Sequence, residues 1–291
     1  MLPAFQNTNS LVLNVTVSDK QGFPISGLGA ENFSVSVDDQ PQKVLSFSAQ
    51  DSPASIGFLI DVSGSQPINN TKTAVLPLAP CRQGIARFLD LSHRENEYFL
   101  MTFNSEVQLQ QDWTSDPRAI LQKADSLTLG KRTSLFDAVQ MGIEKVTTGR
   151  NSKRVLVLIT NGVDTSSRSS FVEVRDLLRA SDVVLYAVGI SNIQQGDMSL
   201  WAEIQGVLDE LSDGSGGRSH YVTTASGANA FKEVFESIAL EVRAQYQLVI
   251  AAQSSAGGKS KWHKVKIKAT RTNPKGKPEQ LLARTRQTYP N

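Results

Sequence analysis

The sequence predicts an α/β domain, with an open, doubly wound and mostly parallel sheet, inserted into a small β-sandwich formed by the two ends of the chain. Three observations predict it. Through residues 54–245, short runs that are apolar on both faces alternate with amphipathic helical patterns, as in a parallel sheet covered on both sides. Both ends of the chain switch instead to alternation with period two. Neither end holds enough strands to bury a face alone, because two or three strands are marginal in water. The expected organisation is therefore residues 1–53 and 246–291 as the halves of the sandwich, with 54–245 inserted between them.

The elements follow in order. Leu11, Leu13, Val15 and Val17 point one way, and Phe33, Val35 and Val37 repeat the pattern after the turn-rich Asp19-Lys20-Gln21-Gly22 and Ser26-Gly27. Ile56-Gly57-Phe58-Leu59-Ile60 is too short for a helix and apolar on both faces, so it reads as a central strand. The runs beginning at Tyr98, Val155 and Val183 have the same character. Between them, Leu135, Val139, Ile143 and Val146, then Phe171, Val174, Leu177 and Leu178, fall at helical spacing. Asp116-Pro117 reads as an N-cap followed by proline at the first helical position. Met198, Trp201, Ile204, Val207, Leu208 and Leu211 predict a packed helix that breaks at Ser212–Gly217. A last helix enters at Asn229 and carries Phe231, Val234, Phe235, Ile238 and Val242. Tyr246, Leu248 and Ile250 then restore period two, and Gly257-Gly258 turns the chain into a strand in which Lys264, Lys266 and Lys268 alternate with Val265, Ile267 and Ala269.

Composition narrows the function. A hydrophobic fraction of 40% and a charged fraction of 20% describe an ordinary globular chain. No run approaches the ~18–20 apolar residues of a membrane span. The start, Met1-Leu2-Pro3-Ala4-Phe5, lacks the basic and apolar segments of a signal peptide. The single cysteine, Cys81, excludes a disulfide framework, and three scattered histidines (His93, His220, His263) argue against a His/Cys zinc site. The net charge of +2 hides an asymmetry: residues 251–291 carry +9 and the rest −7. A basic tail can mark nucleic-acid binding, but here the lysines form the wet face of an alternating strand, so nucleic acid is not expected.

The chemistry-bearing motif is Asp61-Val62-Ser63-Gly64-Ser65, at the carboxyl end of the first α/β strand. Ligands of open α/β sheets bind beyond the carboxyl ends of strands. A carboxylate and two hydroxyls at alternate positions are hard donors, suited to Mg2+, Mn2+ or Ca2+ rather than zinc. Alone, the pattern equally describes a turn with local side-chain-to-backbone bonds. Thr133 in Gly130-Lys131-Arg132-Thr133-Ser134, just before a helix, and Thr160-Asn161-Gly162, ending the next core strand, supply the context.

With these motifs, residues 54–245 resemble a von Willebrand factor type A domain, including Phe103-Asn104-Ser105 and Tyr186-Ala187-Val188-Gly189. The flanks resemble a bacterial subgroup of related proteins, described largely from acidobacteria, through Val15-Thr16-Val17-Ser18-Asp19-Lys20 and Asn32-Phe33-Ser34-Val35. The resemblance implies a Rossmann-like fold and a metal-ion-dependent adhesion site. Ser63 and Ser65 would bind a divalent cation through their hydroxyls, Asp61 directly or through water, and Thr133 from the second loop. The fifth family position is Asp; here it is Asn161, so one formal charge is missing. Mg2+ is the first expectation, with Mn2+ or Ca2+ as alternatives. The implied partner is a protein or peptide presenting Asp or Glu, and the implied location is outside the cytoplasm.

Two other readings stand beside this one. The domain could bind partners without metal, the site having been retired by Asn161. It could instead be a hydrolytic enzyme using Ser63 or Ser65. Against the enzyme, there is no G-x-S-x-G elbow at Ser63, no histidine in the site's loops, and no phosphate-cradling glycine motif.

Overall fold

Alternation at the chain ends produces strands whose apolar faces meet. The computed structural model describes residues 10–64, 78–127, 129–191, 198–252, 262–273 and 276–291, with Thr224 described by its backbone alone. Ser65, the Gly257-Gly258 turn and the Met1–Phe5 start lie outside the described residues. Four strands lead: β1 (Ser10–Ser18), β2 (Phe33–Val37), β3 (Gln40–Gln42) and β4 (Val44–Ser48). On β1, Leu13, Val15 and Val17 are fully buried, yet Asn14, Thr16 and Ser18 are buried as well. The period of two thus separates an apolar face from a polar face, and both are covered.

The central elements alternate as expected. They are β5 (Ala54–Asp61), α1 (Leu78–Leu91), β6 (Glu97–Phe103), β7 (Val107–Thr114), α2 (Pro117–Asp125), α3 (Leu135–Val146), β8 (Lys153–Thr160), α4 (Phe171–Ala180), β9 (Val183–Ser191), α5 (Met198–Ser215), β10 (Arg218–Thr223) and α6 (Gly227–Arg243). The chain closes with β11 (Tyr246–Ala251), β12 (Trp262–Thr272), β13 (Pro278–Arg284) and β14 (Thr288–Pro290).

The central sheet has the order β10-β9-β8-β5-β6-β7, parallel except for β7, which runs antiparallel to β6. Every residue of β5, β6 and β9 is buried, which explains their lack of alternation. One face packs against α1 and α6, where Phe58 meets Phe88 edge-on at 5.4 Å. The other face packs against α3, α4 and α5. From β5 the order runs to β6 on one side and to β8 on the other, so the switch point lies at the carboxyl end of β5.

The two ends of the chain pair with each other, as expected, and form one antiparallel path, β3-β2-β12-β13-β1-β11-β4 with β14 on β12. Within β1, Ser10–Val15 pair with β11, whereas Thr16–Ser18 pair with β13. The path folds over, so that Phe33 of β2 lies 5.1 Å from Tyr246 of β11 and 5.7 Å from Phe47 of β4. α5 does not break at Ser212 but continues to Ser215, because Ser212 and Ser215 are buried and the Ser215 hydroxyl accepts from Leu185 N at 2.9 Å. α6 starts at Gly227, two residues earlier than expected. Cys81 lies within α1, and burial pushes its thiol pKa up to about 12, which leaves it inert. The Asp116 N-cap is as expected: its carboxylate accepts from Arg118 N at 2.9 Å.

The polar face of β1 and the end of β13 meet the α/β layer through a buried polar network. The buried Tyr186 hydroxyl accepts from Gln245 at 3.3 Å. Glu241 of α6, fully buried, contacts Arg284 of β13 at 2.5 Å and Arg218 of β10 at 3.4 Å. Arg286 donates to Arg179 O at 3.2 Å. His220 of β10 lies in the same region, with its Nε2 shut off from solvent and without a hydrogen-bond partner among the described residues. Burial, reinforced by Arg218 and Arg284, lowers its pKa from 6.5 to about 4.

A pH dependence follows from His220. Between pH 6.5 and 4 the unfolded chain takes up a proton that the folded protein refuses, so stability falls as the pH falls through that window. A shift of this size corresponds to a loss on the order of 3 kcal/mol. His220→Leu should remove that slope while leaving stability at neutral pH nearly unchanged, as measured by urea unfolding across the window. Equal slopes in the two proteins would show that His220 is not the titrating group.

Candidate functional site

The site is built where β5 and β8 end side by side. Register pairs Ile60 with Ile159, which sets Asp61 against Thr160 on the next strand. Asp61 is fully buried. Its Oδ1 accepts from Ser63 N at 2.8 Å, and its Oδ2 accepts from the Thr160 hydroxyl at 2.6 Å. The Ser63 hydroxyl and the Asn161 backbone N–H also bond the carboxylate. Burial nevertheless dominates and raises the Asp61 pKa above the ordinary carboxylate value.

The second loop is brought in by backbone bonds. Gly130 N donates to Val62 O at 2.8 Å, and Gly64 N donates to Gly130 O at 2.7 Å. Gly130 is needed for this approach, because a Cβ there would fall 2.1 Å from the Asn104 amide nitrogen. The loop delivers Thr133, whose hydroxyl donates to the Ser63 hydroxyl at 3.0 Å. Thr133 is held in turn by the third loop: its N–H donates to the Thr165 hydroxyl at 2.9 Å, and its carbonyl accepts from Thr165 N and Ser166 N. Three loops are thus tied together around one carboxylate and two hydroxyls. Gly162 leaves the space beside them open, its ideal Cβ position lying 3.4 Å from the Thr133 hydroxyl and 3.7 Å from Asp61 Oδ2.

Of the five residues named from the sequence, Asp61, Ser63 and Thr133 converge, Asn161 adjoins them through its backbone, and Ser65 lies outside the described residues. Asp164, the acid three residues after Asn161, is engaged by α3. Its Oδ1 accepts from Phe136 N at 3.3 Å and from the Ser167 hydroxyl at 2.5 Å, which commits it to the first turn of α3. Thr160 is the residue that sequence reasoning passed over. Its hydroxyl at the carboxyl end of the strand next to β5 was the available signal.

This donor set fits a hard divalent cation. All three side chains offer oxygen, the carboxylate is buried, and no cationic side chain pairs with it among the described residues. No group of three or more His, Cys, Asp or Glu side chains is arranged to hold a metal among the described residues, so the set depends on hydroxyls around a single acid. The arrangement does not resemble a catalytic triad. His263 bonds Asp38 at 2.6 Å in the terminal sheet, His93 accepts from Glu95 N after α1, and His220 lies in β10.

Comparison with known proteins agrees with this fold. Among solved structures, a von Willebrand factor type A protein from Catenulispora acidiphila matches with a TM-score of 0.51 and 12% identity, covering 98% of this chain and 75% of that one. The PilB minor pilin of Streptococcus sanguinis, as its D319A mutant, matches with a TM-score of 0.51 and 14% identity, covering 66% of this chain and 61% of the pilin. Proximal thread matrix protein 1 from the mussel byssus, with a zinc-occupied MIDAS motif, matches with a TM-score of 0.50 and 16% identity over 72% of this chain and 50% of its own. This chain therefore spans less than two thirds of the pilin and about half of the byssus protein, and at these identities the likeness is one of fold. No curated protein matches the sequence. The von Willebrand factor type A domain model matches residues 55–237, more than half of the chain and the whole of the site just described. The protein belongs to the von Willebrand factor type A domain family.

Proposed function

We propose that the protein is a non-catalytic binding module that engages an acidic group of a partner protein or peptide through a divalent cation, Mg2+ first, held by Asp61, Ser63, Ser65, Thr133 and Asn161. The observation that carries this reading is the convergence of Ser63 and Thr133 on the buried Asp61, which has no cationic side chain to balance it among the described residues. When bound, the cation would supply an electrophilic centre for a partner carboxylate. The chain's own contribution is positional. Thr160 and Ser63 N fix the Asp61 carboxylate, the bonds from Thr165 and Ser166 fix Thr133, and Gly162 keeps the approach clear. With Asn161 in the fifth position and Asp164 committed to α3, Asp61 is the one acid of the set, so little protein charge would compete with the partner's.

The reading also places the protein outside the cytoplasm, following the family resemblance. Among the described residues, no helix is long and apolar enough to cross a membrane.

Thermal unfolding in Mg2+, Mn2+ or Ca2+ against EDTA, for wild type and Asp61→Ala, tests the site. A cation present at a hundredfold excess over its Kd adds about 2.7 kcal/mol by mass action, a rise of roughly 4–5 °C for a chain of this size. The rise should appear in wild type and be absent in Asp61→Ala. If no cation moves the wild-type melting temperature at millimolar concentration, the domain is a metal-independent binding scaffold and the commitment of Asp164 to α3 explains why.

A further inference from the structure

We propose that Lys131 and Arg132 form a basic lip on the candidate site that selects partner segments carrying several acidic residues over those presenting a single carboxylate; this rests on the binding function proposed above and names its partner class. The two side chains are exposed and immediately precede Thr133, whose hydroxyl reaches Ser63. Their position is fixed from both sides. Gly130 is bonded to Val62 and Gly64, while Thr133 and Ser134 are bonded to Thr165 and to Asn104 O. The two-residue tip between these anchors therefore stands beside Asp61 with little freedom to swing away. Arg132 occupies the left-handed region, at φ 58°, where a side chain is disfavoured and glycine would be relaxed. The fold thus carries a long cation where the backbone would prefer none.

Nothing described neutralises this lip. No ion pair joins Lys131 or Arg132 to an acid among the described residues, although the molecule forms such pairs widely elsewhere. Asp164 of the third loop and Asp137 of α3 are committed to backbone donors, Asp164 to Phe136 N and Asp137 to Arg168 N and Ser169 N. Residues 65–77, which follow the Asp61 motif in sequence, contain Lys72 and no acid. A partner carboxylate arriving at Asp61 and Thr133 would accordingly bring its flanking residues against two uncompensated cations. Further acids in those flanks gain attraction and faster encounter, whereas basic flanks are repelled.

The test uses two synthetic Gly/Ser peptides, one with a single central Glu and one with that Glu flanked by three more, binding followed by fluorescence anisotropy in Mg2+. The variant is Lys131→Gln with Arg132→Gly, which removes both charges and relaxes the backbone at 132, so it retains the fold. Wild type should bind the acid-rich peptide about tenfold more tightly, with the advantage shrinking as salt rises. The variant should lose that advantage and bind the single-Glu peptide as wild type does. An advantage that persists in the variant, or no binding of either peptide to wild type, overturns the lip. EDTA and Asp61→Ala separate the two ideas. If they leave peptide binding intact while the lip variant abolishes the preference, the lip stands and the metal reading falls. If they abolish binding while the lip variant keeps the preference, the metal reading stands and the lip falls.

Discussion

Arg284→Met is expected to lower the unfolding free energy by about 3–5 kcal/mol, because it strips the closest counter-ion from a carboxylate with no access to water. Glu241 lies on α6 with a fully buried side chain, and Arg284 reaches it at 2.5 Å from β13. Among the described residues Arg218 is the other cation nearby, at 3.4 Å, and Glu241 Oε1 on that side has no hydrogen bond. After the substitution Glu241 keeps only the weaker contact, and the desolvation cost of the acid is no longer offset. The same logic predicts non-additivity. Glu241→Met combined with Arg284→Met should cost less than Arg284→Met alone, since the double variant leaves no orphaned acid. Urea unfolding of wild type, both single variants and the double variant measures the coupling. A single-variant loss below about 1 kcal/mol would put this pair with exposed surface bridges and remove it as the tie between the terminal sheet and α6.

Phe235→Ala should cost a similar amount, about 3–5 kcal/mol, by opening a cavity where α6 rests on α1. Phe235 is fully buried, and a Cβ built on Gly84 of α1 would fall 2.3 Å from its ring. The two helices approach closely because glycine on one makes room for phenylalanine on the other. Gly84→Ala alone should therefore destabilise through overpacking, although alanine is the better helix former by about 1 kcal/mol. In the Phe235→Ala background the same change should recover part of the loss, because the added methyl enters vacated space. Thermal unfolding of the four proteins decides this. A Gly84→Ala change that stabilises wild type would mean that the ring yields easily and that the α1–α6 contact is looser than the distance implies.

Much of the central architecture was legible in the chain. Runs such as Ile56–Ile60 and Val155–Ile159 are apolar at every position because both sheet faces are covered, so periodicity and burial agree. Strand β7 was not anticipated. It lies at the sheet edge, half exposed, and its Val107-Gln108-Leu109-Gln110-Gln111 alternates too weakly to stand out. The reading of Ser212–Gly217 as a break followed from glycine and serine content, but burial of Ser212 and Ser215 overrides local propensity there. At the site, Asp61, Ser63 and Thr133 were chosen for donor chemistry and position at strand ends, and the structure shows them in mutual contact. The use of Thr160 as the direct partner of Asp61, and the commitment of Asp164 to the start of α3, depend on which strands are neighbours and how the third loop folds back.

The sequence by itself determined the period of each segment, and therefore the strand-and-helix alternation, the family, and the oxygen-rich loops at the carboxyl ends of β5 and β8. These are local properties, written in residues a few positions apart. The tertiary structure decided what no local window contains: the folding-over of the terminal sheet, the switch of β1 from β11 to β13 within a single strand, and the burial of Glu241 against an arginine 43 residues away. The physical reason is that hydrophobic periodicity specifies which face of an element is dry. Which partner covers that face, and which polar groups are trapped between the two, is settled only when the layers meet.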